Sequence, residues 1–419
     1  MQFLFPILSR YGAIAVQFVV VALVTRSLSL EEAGIYFSLF GLILTSNFLA
    51  GFGLPDGLVR LCPALAVDGK FFEISELIRR GVMIGFLSIF FLMIVLGLSL
   101  VATRQSMEIV LLTSMWWCCY GVIFLSAQIL VAGGKAQLGT FMFYSAINAG
   151  LLVTVVPFLI FSVDVALATV LKVTVMGAGL AAIFGLILLV REVRHLKPRQ
   201  ARLQVPLKAA WESGVFIATG RVVQTAIIWS PVWITGVLIG VAEAALIGLS
   251  GRLVSAVAAV IATIRFSIRP ELSRSAAAGQ WSAIERLARH IGLWTTLLAV
   301  VAICGDLLIG KAVISTIFGD QYGKVAGLVA ILLVGTIGES FGGPVDEILK
   351  MDGKGHVVLL FQILAGVIGV GLQFLGAHMF GLKGVAVGYA FSFCSLYIGL
   401  ILYLKQTRGI STLIRWEKT

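Results

Sequence analysis

Uncharged apolar runs long enough to cross a bilayer recur from one end of the chain to the other. Residues 81–103 and 109–132 contain no Asp, Glu, Lys or Arg at all. A helix needs about 20 predominantly apolar residues to span roughly 30 Å of hydrocarbon. In that medium each backbone N–H and C=O must find its partner within the protein, which leaves helices or a closed barrel. Barrel strands alternate apolar and polar residues, whereas these runs are continuously apolar. The expected fold is therefore an all-α polytopic membrane protein. Composition supports this: 12% of the 419 residues are charged, about half the usual share of a soluble domain.

Twelve spans are expected, at 7–28, 33–54, 81–103, 109–132, 139–162, 165–190, 213–239, 244–268, 291–310, 325–348, 357–379 and 384–404. Lys and Arg in the connections set their orientation. The termini and the loops after even-numbered spans hold 23 of these cations, and the opposite loops hold 5. Both termini are thus expected in the cytoplasm. The net charge of +11 sits in short loops between spans, where it meets anionic lipid rather than nucleic acid. No cleavage site follows the first run, which reads as a membrane helix and not a signal peptide.

The chain reads as two related halves: a six-helix bundle over 1–195, a basic cytoplasmic linker over 196–212 and a second six-helix bundle over 213–419. Residues 69–80 (GKFFEISELIRR) and 279–290 (GQWSAIERLARH) align, pairing Gly69 with Gly279, Ile74 with Ile284, Leu77 with Leu287 and Arg79 with Arg289. Both segments read as amphipathic surface helices leading into spans three and nine. Glu32-Ala33 matches Glu243-Ala244, and Gly134-Lys135 matches Gly353-Lys354. Six helices per half make the repeat parallel, a transporter device in which two pseudo-symmetric bundles move about a central cavity.

Three cations fall inside spans and clear of their ends: Lys172, Arg221 and Arg252. A charge at a helix centre costs about 2.5–3.5 kcal/mol on insertion scales, so intramembrane charges are expected to face water or a partner. Arg221 and Arg252 are expected to line a cationic cavity, with Gln224 and Ser255 on their faces; pairing with a buried carboxylate is the competing structural reading. Lys172 is shallower and could reach the outer interface. Glu339 lies within span ten, and Asp346 and Asp56 lie near inner helix ends. These acids read as ion-coupling residues or as structural partners of the arginines. Trp116, Trp117, Trp229 and Trp233 read as an interfacial aromatic belt, or as stacking platforms for sugars. The five cysteines lack metal-ligand spacing and read as free thiols. No metal site, phosphate-binding loop, dinucleotide fingerprint or nucleophile elbow is present in the sequence. No enzyme activity or cofactor is expected, beyond coupling to H+ or Na+.

Leu28 to Arg60, LSLEEAGIYFSLFGLILTSNFLAGFGLPDGLVR, resembles the start of the polysaccharide-biosynthesis flippases. These are the Wzx-type O-antigen translocases of the multidrug/oligosaccharidyl-lipid/polysaccharide (MOP) exporter superfamily, which is MATE-like in fold. Ala244 to Arg274 resembles the second-half counterpart. Phe318-Gly319-Asp320-Gln321-Tyr322 and Phe380-Gly381-Leu382-Lys383-Gly384-Val385 resemble elements before the tenth and twelfth helices. The resemblance implies twelve helices in two bundles around a cavity that opens alternately to each side. It implies a multi-pass protein of the bacterial inner membrane that moves undecaprenyl-pyrophosphate-linked oligosaccharides for O-antigen or other surface polysaccharide. Partners would be that lipid-linked substrate, membrane lipids and other polysaccharide-assembly proteins. Arg26, Arg60, Arg221, Arg252 and Arg269, with Lys172, are the candidate pyrophosphate-binding cations, since a guanidinium can grip phosphate at two points. Three other readings compete: a cation-coupled multidrug exporter of the same superfamily, a membrane glycosyltransferase and a non-transporting scaffold. The exporter calls for a cavity rich in carboxylates, and the glycosyltransferase for a long outer loop.

Overall fold

The computed structural model describes residues 4–161, 165–195 and 207–413; the linker residues 196–206 fall outside these, and so do a few side chains, that of Arg269 among them. The described chain is helical, with no strand among its residues. It divides into two compact units: residues 1–29 with 39–222, and residues 30–38 with 223–419. The boundaries fall inside two helices, so residues 207–222 group with the first unit and residues 30–38 with the second.

The first unit contains α1 (Leu4–Ser27), most of α2 (Leu30–Ser46), α3 (Leu54–Val67), α4 (Phe71–Ala102), α5 (Met107–Ala132), α6 (Ala136–Phe141), α7 (Ile147–Ile160), α8 (Leu167–His195) and the first half of α9 (Leu207–Leu238). Helix α5 is its centre, packing on α3, α4 and α8. It buries Trp116, Trp117, Phe124 and Leu125. Its neighbour α4 is equally apolar but leaves Phe90, Phe91, Ile94 and Leu98 exposed. A helix that is apolar all round, with half its surface uncovered by protein, is suited to lipid.

The second unit repeats this plan. It holds the start of α2, the second half of α9, α10 (Val241–Ala277), α11 (Trp281–Gly305), α12 (Lys311–Phe318), α13 (Leu328–Phe341), α14 (Val345–Met351) and α15 (Gly355–Arg408). Here α13 takes the central position, packing on α11 and α15. Asp306 Oδ2 accepts the amides of Gly327 and Ala330 at 2.9 and 3.1 Å, which satisfies donors at the start of α13. The Phe318–Tyr322 element buries both of its aromatic rings at that same end.

Nine helices among the described residues are long and apolar enough to cross a membrane, or ten with α13 and α14 counted as one bent span. Helix α15 runs for 54 residues, about 81 Å at 1.5 Å per residue, and it is interrupted at Gly381 (φ 59°). It is two spans. Adding the apolar part of α1, Tyr11–Ser27, gives about twelve. The chain is a multi-pass helical membrane protein.

Where the halves match in sequence they also match in backbone. Gly69 and Gly279 have φ of 71° and 67°, and Gly134 and Gly353 have φ of 82° and 75°. Each ends a helix in the left-handed conformation that glycine alone adopts cheaply. The next residue's amide closes the turn: Lys70 to Leu65 O, Gln280 to Ser275 O, Lys135 to Leu130 O and Lys354 to Leu349 O. The segments after Gly69 and Gly279 are not separate surface helices as expected; they are the first turns of α4 and α11. Span two also departs from expectation, because α2 stops at Ser46 and α3 restarts at Leu54.

Candidate functional site

The interruption between α2 and α3 creates the site of the first unit. Gly51, Phe52 and Gly53 all have positive φ (79°, 49° and 82°), and the Gly51 amide donates to Ser88 Oγ at 2.6 Å. Pro55 follows in the first turn of α3, the one place in a helix where its missing N–H costs nothing. Asp56 therefore sits at a helix N-terminus, where the backbone dipole favours a carboxylate. It is 3% exposed. Its Oδ1 accepts Gln128 Nε2 from α5 at 2.7 Å and lies 2.7 Å from Arg221 Nη1 of α9. The guanidinium lies over the Phe48 ring, 5.7 Å from its centroid. The Arg221 side chain is still 37% exposed. One flank is tied to a buried acid and the rest remains accessible.

Glycines let α9 come this close. A Cβ on Gly57 would lie 1.8 Å from the Ala210 carbonyl oxygen, and one on Gly214 would lie 1.9 Å from that of Gly53. The backbones meet directly, as small residues permit between membrane helices.

The second unit holds two arginines of different character, both on α10. Arg252 lies over Trp229, 4.9 Å from the ring centroid. Arg265 is only 4% exposed. Its Nη1 donates to Glu339 Oε1 and its Nη2 to the Glu339 backbone oxygen, both at 2.7 Å. Tyr397 stacks beneath it at 5.9 Å. A second helix interruption follows at Gly342–Pro344, bending α13 and α14 by 42°. It places Asp346 in the first turn of α14, as the first interruption places Asp56 in α3. Lys350 Nζ donates to Asp346 Oδ2 at 2.8 Å.

Of the residues singled out from sequence, Asp56 and Arg221 are brought together. Glu339 is paired, and its partner is Arg265, which the charge count had assigned to a cytoplasmic loop. Arg26 and Arg60 are exposed, at the end of α1 and on α3. Lys172 is exposed and pairs with Glu108 at 2.6 Å. The Arg269 side chain lies outside the described residues. Gln224 is exposed, and Ser255 Oγ donates to the Gly251 carbonyl at 2.7 Å. Gln128 and Tyr397 were missed: a lone amide and a lone phenol in apolar runs give no signal. Arg265 did give one, because it lies three residues inside the end of its expected span.

The aromatic belt is corrected. Trp116 and Trp117 are core residues, 0% and 1% exposed. Trp117 Nε1 donates to Ser46 Oγ at 2.8 Å, and Trp116 packs on Phe40 and Tyr120. Neither has an exposed face to offer an interface or a sugar. Trp229 is also buried, and Trp233 Nε1 donates to the Ser38 carbonyl at 3.1 Å.

No family model matches the chain, and no curated protein sequence matches it. Solved structures do match in fold. An inward-facing multidrug resistance MATE family transporter of the MOP superfamily superposes with a TM-score of 0.73 at 14% identity, covering 94% of each chain. The lipid II flippase MurJ in an inward closed conformation gives 0.73 at 11% identity, over 96% of this chain and 87% of MurJ. A Vibrio cholerae MATE transporter gives 0.64 at 17% identity, over 97% and 94%. The fold is shared with these structures, which are of MATE transporters and a lipid flippase.

Proposed function

We propose that this protein is a flippase that carries a lipid-linked oligosaccharide, of the undecaprenyl-pyrophosphate type, across the bacterial inner membrane by alternating access. The product would serve O-antigen, lipopolysaccharide or another surface polysaccharide. One observation carries this reading: Arg221 is fixed inside a membrane-spanning helix by a buried acid, yet keeps over a third of its side chain accessible. Such an arginine is held in place and can still meet a second anion. Arg252, on its aromatic face, offers a further cation within a span. A pyrophosphate is the part of a lipid-linked sugar that hydrocarbon rejects most strongly. Guanidinium groups match its oxygens in pairs, and a site built from few contacts releases it again. The basic loops favour a cytoplasmic position for both termini.

The second reading is a cation-coupled multidrug exporter. It is favoured by Asp56 and Glu339, two carboxylates held within the helical bundles. In this fold an acid could bind H+ or Na+ under either reading. Gene deletion separates the two. Lipid-linked repeat units accumulating inside the cell, with loss of surface glycan, support the flippase. Unchanged glycan with altered tolerance to cationic drugs rejects it in favour of the exporter.

A further inference from the structure

A furrow of about 600 Å³ runs between α10 and α11 of the second unit. Val260, Ile264 and Ile268 form one wall, and Leu287, Ile291, Trp294, Leu298 and Val301 form the other. Along α11 the lining extends from Leu287 to Val301, about 21 Å at 1.5 Å per residue, which is more than half the hydrocarbon thickness. Trp294 and Val301 are 54% and 59% exposed. The furrow is therefore open along its length to whatever surrounds the unit.

One end of this otherwise apolar furrow carries an imidazole. His290 lines it, and its Nε2 accepts the Trp294 indole N–H at 3.1 Å. A neutral imidazole that accepts at Nε2 carries its proton on Nδ1, so His290 has a donor to offer. Arg286 lies one turn earlier on the same face of α11. It is exposed and makes no ion pair among the described residues. Its neighbour Arg289 is already committed to Glu285 and to the Ser411 carbonyl. A long apolar channel with an imidazole N–H at its end, and an exposed guanidinium one helical turn beyond, complements a hydrocarbon chain ending in a phosphate.

We infer that the α10/α11 furrow binds the chain of a polyprenyl phosphate lipid, with its phosphate at Arg286 and His290. The choice of a polyprenyl lipid over a phospholipid rests on two features. A single furrow between two helices seats one chain, whereas a phospholipid brings two. The walls are dominated by branched side chains, whose methyl-bearing surface interlocks with a methyl-branched chain. The inference rests on the flippase reading and assigns its substrate a resting place, which the phosphate leaves when the intramembrane arginines take it.

The test uses the purified full-length protein in lipid nanodiscs with a diazirine-bearing polyprenyl phosphate. Labelled peptides are then mapped. Labelling should concentrate on 260–268 and 287–301 and be competed by unlabelled polyprenyl phosphate but not by phosphatidylglycerol. Arg286→Gln should weaken the apparent affinity about tenfold, the effect of losing one charge-assisted hydrogen bond. Leu297→Trp, at the furrow's edge, should block labelling while thermal stability is retained. Equal competition by phosphatidylglycerol would make the furrow a seat for bulk lipid and overturn the inference. Labelling elsewhere would do the same. If deletion of the gene still causes lipid-linked repeat units to accumulate, either failure concerns the tail site and leaves the flippase reading in place.

Discussion

The pair formed by Asp56 and Arg221 is asymmetric, and its two halves should respond differently to removal. Asp56 is buried at 3% exposure, while Arg221 reaches solvent. Replacing Arg221 by Ala leaves a buried carboxylate with only Gln128 as partner, which belongs to the class of change that costs about 3–5 kcal/mol. Asp56→Asn leaves an arginine that water can still reach, so the cost should fall nearer that of an exposed pair, about 1 kcal/mol or less. Thermal unfolding in detergent should therefore show a larger drop for Arg221→Ala. The double change to Asn and Gln should recover stability without recovering transport. Equal drops for the two single variants would contradict the assigned burial. The sequence revealed the arginine, because a cation in a long apolar run is conspicuous. It offered Asp56 only as one of three candidate partners, because Asp56 lies far away along the chain beside a helix end, where a carboxylate is ordinary. Arg265 was misread for a related reason. Its helix continues to Ala277, so a charge close to the expected span end is in fact packed against Glu339.

Hydropathy at the element scale measures how long an apolar run is and is blind to its dihedral angles. The interruption at Gly51–Gly53 lies within such a run, and only the triplet Gly-Phe-Gly before Pro55 hinted at it. Of the helix-ending glycines, Gly69, Gly134 and Gly353 were easier to read, since a lysine follows each. Two predictions belong here. Gly57→Ala would place a methyl 1.8 Å from a backbone oxygen of α9, and overpacking against backbone costs about 1–3 kcal/mol or more. Gly251→Ala meets nothing within 4 Å and serves as control, with little loss expected in the same melt. The second concerns the turn between α14 and α15. Arg408 holds Asp352 through hydrogen bonds, one of them at 3.0 Å, and Lys354 lies 3.3 Å away. Hydrogen bonding to Arg408, then to Lys354, keeps the Asp352 carboxyl below the ordinary aspartate range. A carboxylate with a lowered folded-state pKa contributes stability above its unfolded value, about 3.9, and that contribution disappears as pH falls through the folded value. The stability difference between the natural protein and Asp352→Asn should accordingly be constant from pH 7 to 5 and shrink below pH 4. A difference unchanged at pH 3 would contradict the ion-pair assignment.

The duplicated plan was legible in the whole chain because the same turns recur half a chain apart, each with its glycine. What repetition hides is the set of places where the halves differ. The first half breaks its second span at Gly51–Gly53, whereas its counterpart α10 runs unbroken for 37 residues. Each half also anchors its arginines differently, with Asp56 and Gln128 in one and Glu339, Tyr397 and Trp229 in the other. Substrate choice would reside in such differences, which two weakly similar sequence halves do not display. The central claim is that accessible, anchored arginines handle a pyrophosphate headgroup. It is tested most directly in proteoliposomes loaded with an undecaprenyl-pyrophosphate oligosaccharide, by following the fraction of glycan accessible to an external glycosidase. The natural protein should raise that fraction above the empty-liposome level, Arg221→Lys and Arg252→Lys should do so only partly, and a variant with both arginines changed to Gln should match empty liposomes. Full activity in the double Gln variant, or none in the natural protein, would contradict the account.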